Sequence, residues 1–415
     1  MTNCAIRLNL SGLFRARRRR RWHTEHDPQE THPPTARGPR PVPPLPPPPP
    51  PCPGPATIAL VVGTRPEIIK LAVLSKHLGE RGYLVHSGQH FDENLSEAFF
   101  AAFGLAPPEL RLDGVGGASR AEQFSRVLGQ LGRHFSDRRP DTVVVQGDTN
   151  TAAAAAQAAH FAGIRVVHVE AGLRSNDRAM PEEINRMLVG VVADLHCAPT
   201  DLAADNLRRA GVDSHSVHVT GNTVVEATLD RLPGPDEAER VLTAYGVEPD
   251  RYVLATIHRP ENADHAGRLD AILTELAKLP LPVVFPAHPR TRAAARRLGL
   301  SAALERLAPV APVGYGAFLA LARHARLLVS DSGGIQEECT VLKKPLIVVR
   351  DSTERPEAVE SGFAHLVQPG PAIAAAALRL LDDGGLAARL AATPSPYGDG
   401  LASRRIAELI TASRA

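Results

Sequence analysis

The chain has 415 residues, of which 43% are hydrophobic and 22% charged, a composition typical of a globular protein with two or three domains. Its net charge of +2 hides an asymmetry: residues 1–55 carry nine arginines and three acidic residues, or +6, and the remainder carries −4. A mildly acidic main part argues against a nucleic-acid partner, and no apolar run is long enough to cross a membrane. The four cysteines lie far apart, which favours free thiols in a reducing, cytoplasmic compartment.

Residues 1–55 are predicted to form a disordered extension. They hold 15 of the 37 prolines and an arginine run at 17–21. Proline removes backbone donors and favours extended chain, and the apolar content is too low to offset the entropy of ordering. Two other interpretations stay open, namely a ligand for proline-binding modules and translated upstream sequence.

From Thr57 onward, short apolar runs alternate with amphipathic stretches, a pattern that predicts an α/β fold with parallel, doubly wound sheets. A second series of such runs begins at Tyr252, after prolines and glycines gather between residues 232 and 250. We therefore expect two Rossmann-like domains that face each other across a cleft at the carboxyl ends of their strands. The predicted segments are 56–232, 233–390 and a C-terminal helix within 391–415 that packs back on the first domain.

The first polar cluster follows the first predicted strand and runs from Gly63 to Lys70. Pro66 suits the first position of a helix, so free amides and the positive end of the helix dipole lie beside Arg65. Lys70 follows about one turn later. The alternative is a helix start with solvated charges.

The second cluster is Ser330 to Glu338. Ser332, Gly333 and Gly334 lie where a strand gives way to a helix, and glycines there let the backbone approach a phosphate. Glu338 could accept hydrogen bonds from a ribose diol, and Arg355 could bring a cation to the same phosphates. The pattern predicts a diphosphate site; a simple glycine turn is the alternative. The chain contains neither a P-loop lysine motif nor GxGxxG.

The third group consists of acidic residues and histidines at predicted strand ends. Asp148, Glu170 and Glu182 are candidates for acid–base chemistry, because a carboxylate that ends an apolar strand is costly to desolvate without a task. Asp148 could instead cap a helix, and Glu182 could merely favour a helix N-terminus. His258 and His288 follow strands of the second series and are expected to face the same cleft. His86/His90 and His215/His218 straddle turns or strands, so no metal site is predicted.

Eight motifs occur in the order found in the non-hydrolysing UDP-N-acetylglucosamine 2-epimerases, and the chain resembles that family over about residues 57–390. The motifs are GTRPEIIK (63–70), QGDT (146–149), HVEAGLRS (168–175), PEEINR (181–186), HRPEN (258–262), HPR (288–290), SDSGGIQEE (330–338) and TERPE (353–357).

The resemblance implies a glycosyltransferase-B architecture, a homodimer, no nicotinamide or metal cofactor, and a cytoplasmic enzyme that supplies surface polysaccharide precursors. It implies interconversion of UDP-N-acetylglucosamine and UDP-N-acetylmannosamine. The positions that match its catalytic residues are Asp148, Glu170, Glu182 and His258. Those that match its substrate-binding residues are Arg65, Lys70, His258, Ser332, Gly333, Gly334, Glu338 and Arg355, with Phe318 at the uracil pocket; His288 is added from its place at a strand end.

The chemistry favours elimination over direct proton abstraction, since C2 of the sugar is not next to a carbonyl. Departure of UDP from C1 makes the C2 proton acidic and leaves a 2-acetamidoglucal, to which UDP adds back. Four alternatives stay open at this point: a hydrolysing relative, an epimerase for a 2,3-diacetamido uronic acid, a glycosyltransferase, and a sugar-nucleotide-binding protein without activity.

Overall fold

The computed structural model describes residues 57–89 and 99–412. The predicted disorder of residues 1–55 lies outside the described residues, as does His90. Across the two described ranges, no helix combines the length and apolarity that a bilayer crossing requires. The same ranges contain no group of three or more His, Cys, Asp or Glu side chains placed to hold a metal ion.

The first sheet is parallel throughout, and its seven strands have the order β3-β2-β1-β4-β5-β6-β7. The chain winds outward from the centre in both directions, so the order reverses between the first and fourth strands. The strands are β1 (Ile58–Val62), β2 (Gly82–His86), β3 (Leu110–Arg111), β4 (Thr142–Gln146), β5 (Arg165–Val169), β6 (Leu195–Ala198) and β7 (Val217–Val219).

The helices of this first half begin at recognisable caps. Thr64 and Glu67 form a capping box at the first helix, with Pro66 in its first turn. Thr149 caps the third helix by accepting from the backbone N–H of Ala152. The helices are α1 (Arg65–Leu78), α2 (Arg120–Asp137), α3 (Asn150–Phe161), α4 (Pro181–Val192), α5 (Asp201–Arg209) and α6 (Thr223–Arg231), with short 3-10 turns at Gly79–Arg81 and Ser214–Ser216.

The second sheet has five parallel strands in the order β12-β11-β10-β8-β9, with its own reversal between the eighth and tenth strands. The strands are β8 (Val253–Thr256), β9 (Val283–Val284), β10 (Leu327–Ser330), β11 (Leu346–Val349) and β12 (Ala364–Val367). The helices of this half are α7 (Pro235–Ala244), α8 (Pro260–Ala263), α9 (Ala266–Leu276), α10 (Pro289–Arg297), α11 (Ser301–Glu305), α12 (Tyr315–His324), α13 (Gly333–Leu342), α14 (Pro356–Glu360), α15 (Ala372–Asp382), α16 (Leu386–Ala392) and α17 (Ala402–Ala412).

The stretch at 232–250, predicted as a break, contains helix α7. Pro235 begins that helix at a position where a missing N–H costs nothing, so proline here starts a helix. Leu242 of α7 packs into the core on one face of the second sheet. The division of the chain at residues 232 and 233 stays a prediction.

Each sheet is covered by helices on both faces, which is why the central strands are apolar throughout. On one face of the first sheet, the alanine-rich α3 packs closely against Val143. On the other face, α1 and α17 share a core: Ile406 and Ile410 of α17 lie with Leu71 and Leu74 of α1. The chain therefore returns to the first sheet at its C-terminal end. Cys197 and Cys339 are buried free thiols.

Candidate active site

The polar motifs lie at the two points where strand order reverses. Gly63 and Asp148 follow the neighbouring strands β1 and β4, and His258 and Asp331 follow β8 and β10. Adjacent loops leave in opposite directions at such a point, so a crevice opens at the carboxyl edge of the sheet. Ion pairs between the two halves show that these edges lie close together in the structure.

The start of α1 is fixed by Glu67, which is almost fully buried. Its carboxylate accepts from the backbone N–H groups of Gly63 at 2.9 Å and Thr64 at 2.7 Å, and from Oγ1 of Thr149 at 2.7 Å. Burial raises the pKa of Glu67 to about 7, although these hydrogen bonds oppose the shift. The predicted ligand Arg65 is exposed, with its guanidinium 5.9 Å from the centroid of the Phe99 ring.

Glu170 follows β5 and has a left-handed backbone, with φ of 61°. This conformation is strained for a residue other than glycine, and such strain collects at functional sites. Its buried carboxylate pairs with the Lys70 ammonium and lies 3.4 Å from a guanidinium nitrogen of Arg355. Nε2 of Gln146 donates to it at 3.0 Å, and Nδ2 of Asn222 at 3.4 Å. The structure thus brings together three predicted site residues, Lys70, Glu170 and Arg355.

A fourth charge closes this cluster into a ring. Glu337 of α13 lies 2.8 Å from the Lys70 ammonium and 2.7 Å from Nε of Arg355. Each cation therefore pairs with both Glu170 and Glu337. Lys70 and Glu170 belong to the first half of the chain, Glu337 and Arg355 to the second. We call these four residues the charge ring.

The pKa values of the two carboxylates in the charge ring are shifted in opposite directions. Burial raises the pKa of Glu170 and the negative charge of Glu337 adds to the shift, while Lys70 and Arg355 oppose it. For Glu337, burial opposes ionisation, but Arg355 and Lys70 hold its pKa below the usual range. Burial also works against the charge of Lys70, yet the two carboxylates raise its pKa. Glu170 is therefore the member of the ring best suited to accept a proton.

Asp148 does not cap α3, since Thr149 does so. Its carboxylate instead lies 2.5 Å from a guanidinium nitrogen of the buried Arg186, on α4. Arg186 also pairs with the buried Glu183 at 3.2 Å. The predicted Glu182 is half-buried in the first turn of α4, and within the described ranges its carboxylate makes no hydrogen bond or ion pair.

Glu354 joins several arginines into one buried cluster. Its carboxylate lies 2.5 Å from Arg355, 2.8 Å from Arg350 and 3.8 Å from both Arg186 and Arg259. Although burial opposes ionisation, the guanidinium groups of Arg355 and Arg350 hold the pKa of Glu354 well below its usual range. This carboxylate connects Arg186 of the first half to the loops of the second.

The histidines of the second half meet at its strand ends. Nδ1 of His258 lies 3.3 Å from Oδ1 of Asp331, which also accepts from the backbone N–H of His258 at 3.1 Å. The ring of the exposed His288 lies 5.5 Å from that of His258, centroid to centroid. Desolvation lowers the pKa of His258, although the negative charge of Asp331 opposes this shift. A buried carboxylate that orients a histidine is a recurring feature of acid–base sites.

The N-terminus of α13 forms an anion site with Arg355. Ser332 is its N-cap residue, and a Cβ added to Gly333 would lie 2.8 Å from a guanidinium nitrogen of Arg355. Glycine here lets the guanidinium lie close to the N-terminal amides of the helix, and a side chain would push it away. Gly334 follows in the first turn. Positive helix end and guanidinium together suit a phosphate group.

Glu338 lies next on α13, and Tyr315 of α12 donates to its Oε1 at 2.9 Å. Burial raises the pKa of Glu338 to about 7, and the hydrogen bond from Tyr315 opposes the shift. Phe318 is half-buried one turn after Tyr315 and packs against the core of the second sheet. A carboxylate beside an aromatic side chain can accept from a ribose diol while a base lies on the ring.

Among the residues that the site uses and sequence reasoning missed are Arg186, Asn222, Glu337 and Glu354. Three of them lie inside the eight motifs, but nothing in a local pattern distinguishes a buried charge from a solvated one. Asn222 lies in the short loop after β7, three residues beyond the strand, so the rule that polar residues at strand ends are candidates would have found it.

Two facing parallel sheets with helices on both faces, and an anion site where they meet, define a two-domain α/β protein of the glycosyltransferase-B type. The family model for UDP-N-acetylglucosamine 2-epimerase matches residues 75–411. The chain belongs to the UDP-N-acetylglucosamine 2-epimerase family. The resemblance and the fold class predicted from the sequence are thereby confirmed.

Relatives match along nearly their whole length. The chain is 37% identical to the UDP-N-acetylglucosamine 2-epimerase of Methanocaldococcus jannaschii, over 85% of this chain and 98% of the relative. It is 36% identical to the UDP-2,3-diacetamido-2,3-dideoxy-D-glucuronate 2-epimerase of Pseudomonas aeruginosa, over 85% of this chain and 99% of the relative. The crystal structure of the M. jannaschii enzyme in complex with UDP-GlcNAc and UDP superposes with a TM-score of 0.79 at 37% identity, covering 86% of this chain and 99% of that one.

Proposed function

We propose that this protein converts UDP-N-acetylglucosamine to UDP-N-acetylmannosamine, reversibly, by elimination and re-addition of UDP. The observation that supports it most is the position of Glu170: a buried carboxylate with a raised pKa, beside the cations and the helix end of an anion site, in a member of this epimerase family. A base and a leaving-group site side by side are what a 1,2-elimination needs.

The leaving diphosphate is held by Lys70, Arg355 and the N-terminal amides of α13 at Ser332, Gly333 and Gly334. Negative charge grows on the bridging oxygen as the bond from C1 breaks, and fixed cations and amides stabilise that charge without reorganising. Glu338 accepts from the ribose, and Phe318 lines the uracil pocket. Arg65 and His288 complete the binding residues at the rim.

Proton transfer at C2 is assigned to Asp148, Glu170, Glu182 and His258. Epimerisation requires removal of the proton on one face of the ring and its return on the other, so groups are needed on both sides. Glu170 and Asp148 lie on neighbouring strand ends of the first half, whereas His258 approaches from the second half. The crevice has to stay closed while UDP is detached, because the glucal would otherwise escape.

The reaction so proposed needs no nicotinamide and no metal. We further propose that the protein is a cytoplasmic homodimer that supplies precursors of surface polysaccharide. A second candidate substrate is a UDP-2,3-diacetamido uronic acid, which the similarity to the P. aeruginosa relative favours.

Proton NMR of the full-length protein with UDP-N-acetylglucosamine in deuterated water tests the proposal. We expect UDP-N-acetylmannosamine to accumulate to equilibrium, with deuterium at C2 of both epimers. Free N-acetylmannosamine would instead indicate a hydrolysing enzyme, and turnover only of a diacetamido uronic acid substrate would identify the second candidate. An unchanged spectrum with both substrates would contradict the proposal, and Glu170→Gln serves as the inactive control.

A further inference from the structure

The two carboxylates of the charge ring are held differently. Glu337 is fully buried inside α13 and engages both of its oxygens, Oε2 with Lys70 at 2.8 Å and Oε1 with Arg355 at 2.7 Å. Glu170 lies at a strand end, where its Oε2 makes a close ion pair with Lys70 but its Oε1 reaches Arg355 only at 3.4 Å. Glu337 therefore holds both cations from inside a helix, whereas Glu170 holds Arg355 loosely and is the partner that an incoming anion can replace.

The cations of the ring are also those to which the proposed function assigns the diphosphate. Arg355 lies against Gly333 at the N-terminus of α13. An anion bound to the amides of this N-terminus would therefore also contact the Arg355 guanidinium. A diphosphate and the Glu170 carboxylate cannot share Lys70 and Arg355 without strong repulsion between like charges at close range. The incoming anion carries more negative charge than Glu170, and it also gains the helix amides.

We propose that the diphosphate displaces the Glu170 carboxylate from Lys70 and Arg355, so that the base loses its counter-ions only when a nucleotide is bound. This inference rests on the proposed function. It makes Glu170 a stronger base in the complex than in the free enzyme. The same binding event that holds the leaving group thus activates the group that removes the C2 proton.

The groups around Glu170 determine whether it becomes protonated when UDP binds. The charged groups that face it are Lys70 from α1, Arg355 from the loop before α14 and Glu337 from α13; the neutral donors are Gln146 from β4 and Asn222 from the loop before α6. With both cations engaged by the diphosphate, burial and the negative charge of Glu337 remain, and both favour the protonated form. When UDP binds without a sugar, Glu170 therefore takes a proton from water, as it takes one from C2 in catalysis.

Isothermal titration of the full-length protein with UDP tests this directly. Titrations at about pH 8, where the terminal phosphate of UDP with its pKa of about 6 is fully ionised, are compared in buffers of different ionisation enthalpy. We expect uptake of about one proton per bound UDP, since one carboxylate changes its state. Glu170→Gln should bind UDP with no uptake. Glu239→Gln, which changes an exposed carboxylate on α7, should retain the uptake.

UDP binding by the wild type without proton uptake would overturn this inference and leave the proposed function intact. Uptake that persists in Glu170→Gln would also overturn it. Absence of UDP binding would contradict the proposed function itself. An infrared difference spectrum of the wild type gives a second measurement that needs no variant: a protonated carboxyl band should appear when UDP is added, and its absence would contradict the inference.

Discussion

Nδ2 of Asn222 donates to Oε1 of Glu337 at 3.2 Å, and this bond joins the loop after β7 in the first half to α13 in the second. The same amide nitrogen lies 3.4 Å from Glu170. The other end of the side chain is fixed, because Oδ1 accepts from the backbone N–H of Val224 at 3.0 Å and so caps α6. Asn222 therefore performs two separable tasks: its oxygen caps a helix, and its nitrogen positions two carboxylates.

Asn222→Ser should separate these tasks. Serine keeps an oxygen for the cap, but its shorter side chain has no donor that reaches both carboxylates. We expect kcat to fall roughly tenfold, since a lost hydrogen bond to a charged group costs about 1.5 kcal/mol or more. Tm should change little. Asn222→Leu, which loses both tasks, is the matched comparison and should be less stable as well as less active. Wild-type turnover in Asn222→Ser would show that the amide nitrogen does not position the carboxylates.

Gly63 should tolerate no side chain. A Cβ built there would lie 2.2 Å from Oγ of Ser87 and 2.2 Å from Oγ1 of Thr151, which are hydrogen-bonded to each other at 2.7 Å. We expect Gly63→Ala to lower the free energy of unfolding by roughly 1–3 kcal/mol. The control is Gly132→Ala in the middle of α2, where an added Cβ would have no atom within 4 Å apart from the neighbouring backbone of its own helix, and alanine should stabilise the helix by roughly 0.5–1 kcal/mol. Urea denaturation measures both; equal effects would refute the close contact at Gly63.

Glu67 should make stability depend on pH. Burial raises its pKa from 4.5 to about 7 in the folded protein, so the folded chain binds this proton more tightly than the unfolded chain. The contribution is therefore fully present below about pH 4.5 and is lost as pH rises through about 7, a change of roughly 3 kcal/mol. Glu67→Gln lacks this titration. The stability of the wild type relative to this variant, measured by urea denaturation, should fall with rising pH across that window. A difference that stays constant or rises would disprove the assignment.

Tyr315→Phe should weaken recognition of the ribose. The phenol donates to Glu338 at 2.9 Å and lowers its pKa, so its removal leaves more of this carboxyl protonated near pH 7. We expect UDP to bind roughly five- to tenfold more weakly, or about 1 kcal/mol, with little change for 2′,3′-dideoxy-UDP. Phenylalanine keeps the ring next to Phe103, 6.1 Å away, which limits structural change. Equal losses for both nucleotides would point to a general disturbance of the pocket.

The parts of the fold that depend on local sequence were predictable. Apolar runs mark the central strands, so the residues that end them, such as Asp148 and Glu170, could be assigned to one edge of a sheet from the sequence alone. Prolines predict a break between elements here, but Pro235 begins a helix instead. The predicted break at 232–250 therefore contained α7.

The charge ring could not be predicted from local sequence patterns. Lys70 and Glu337 lie 267 residues apart in sequence, and each side chain taken alone resembles a solvated charge. Their pairing depends on how the two halves meet, which no periodicity records. The ion pairs of Glu354 could not be predicted for the same reason, since its arginine partners come from separate segments of both halves.

The central claim is that UDP leaves the anomeric carbon before the configuration at C2 changes. Substrate labelled with heavy oxygen in the bridge between C1 and the β-phosphate tests this most directly. If the bond breaks, the freed phosphate can rotate, and the label should move into non-bridging positions of recovered UDP-N-acetylglucosamine while the epimer forms. A label that stays in the bridge while the epimer accumulates to equilibrium would contradict the account.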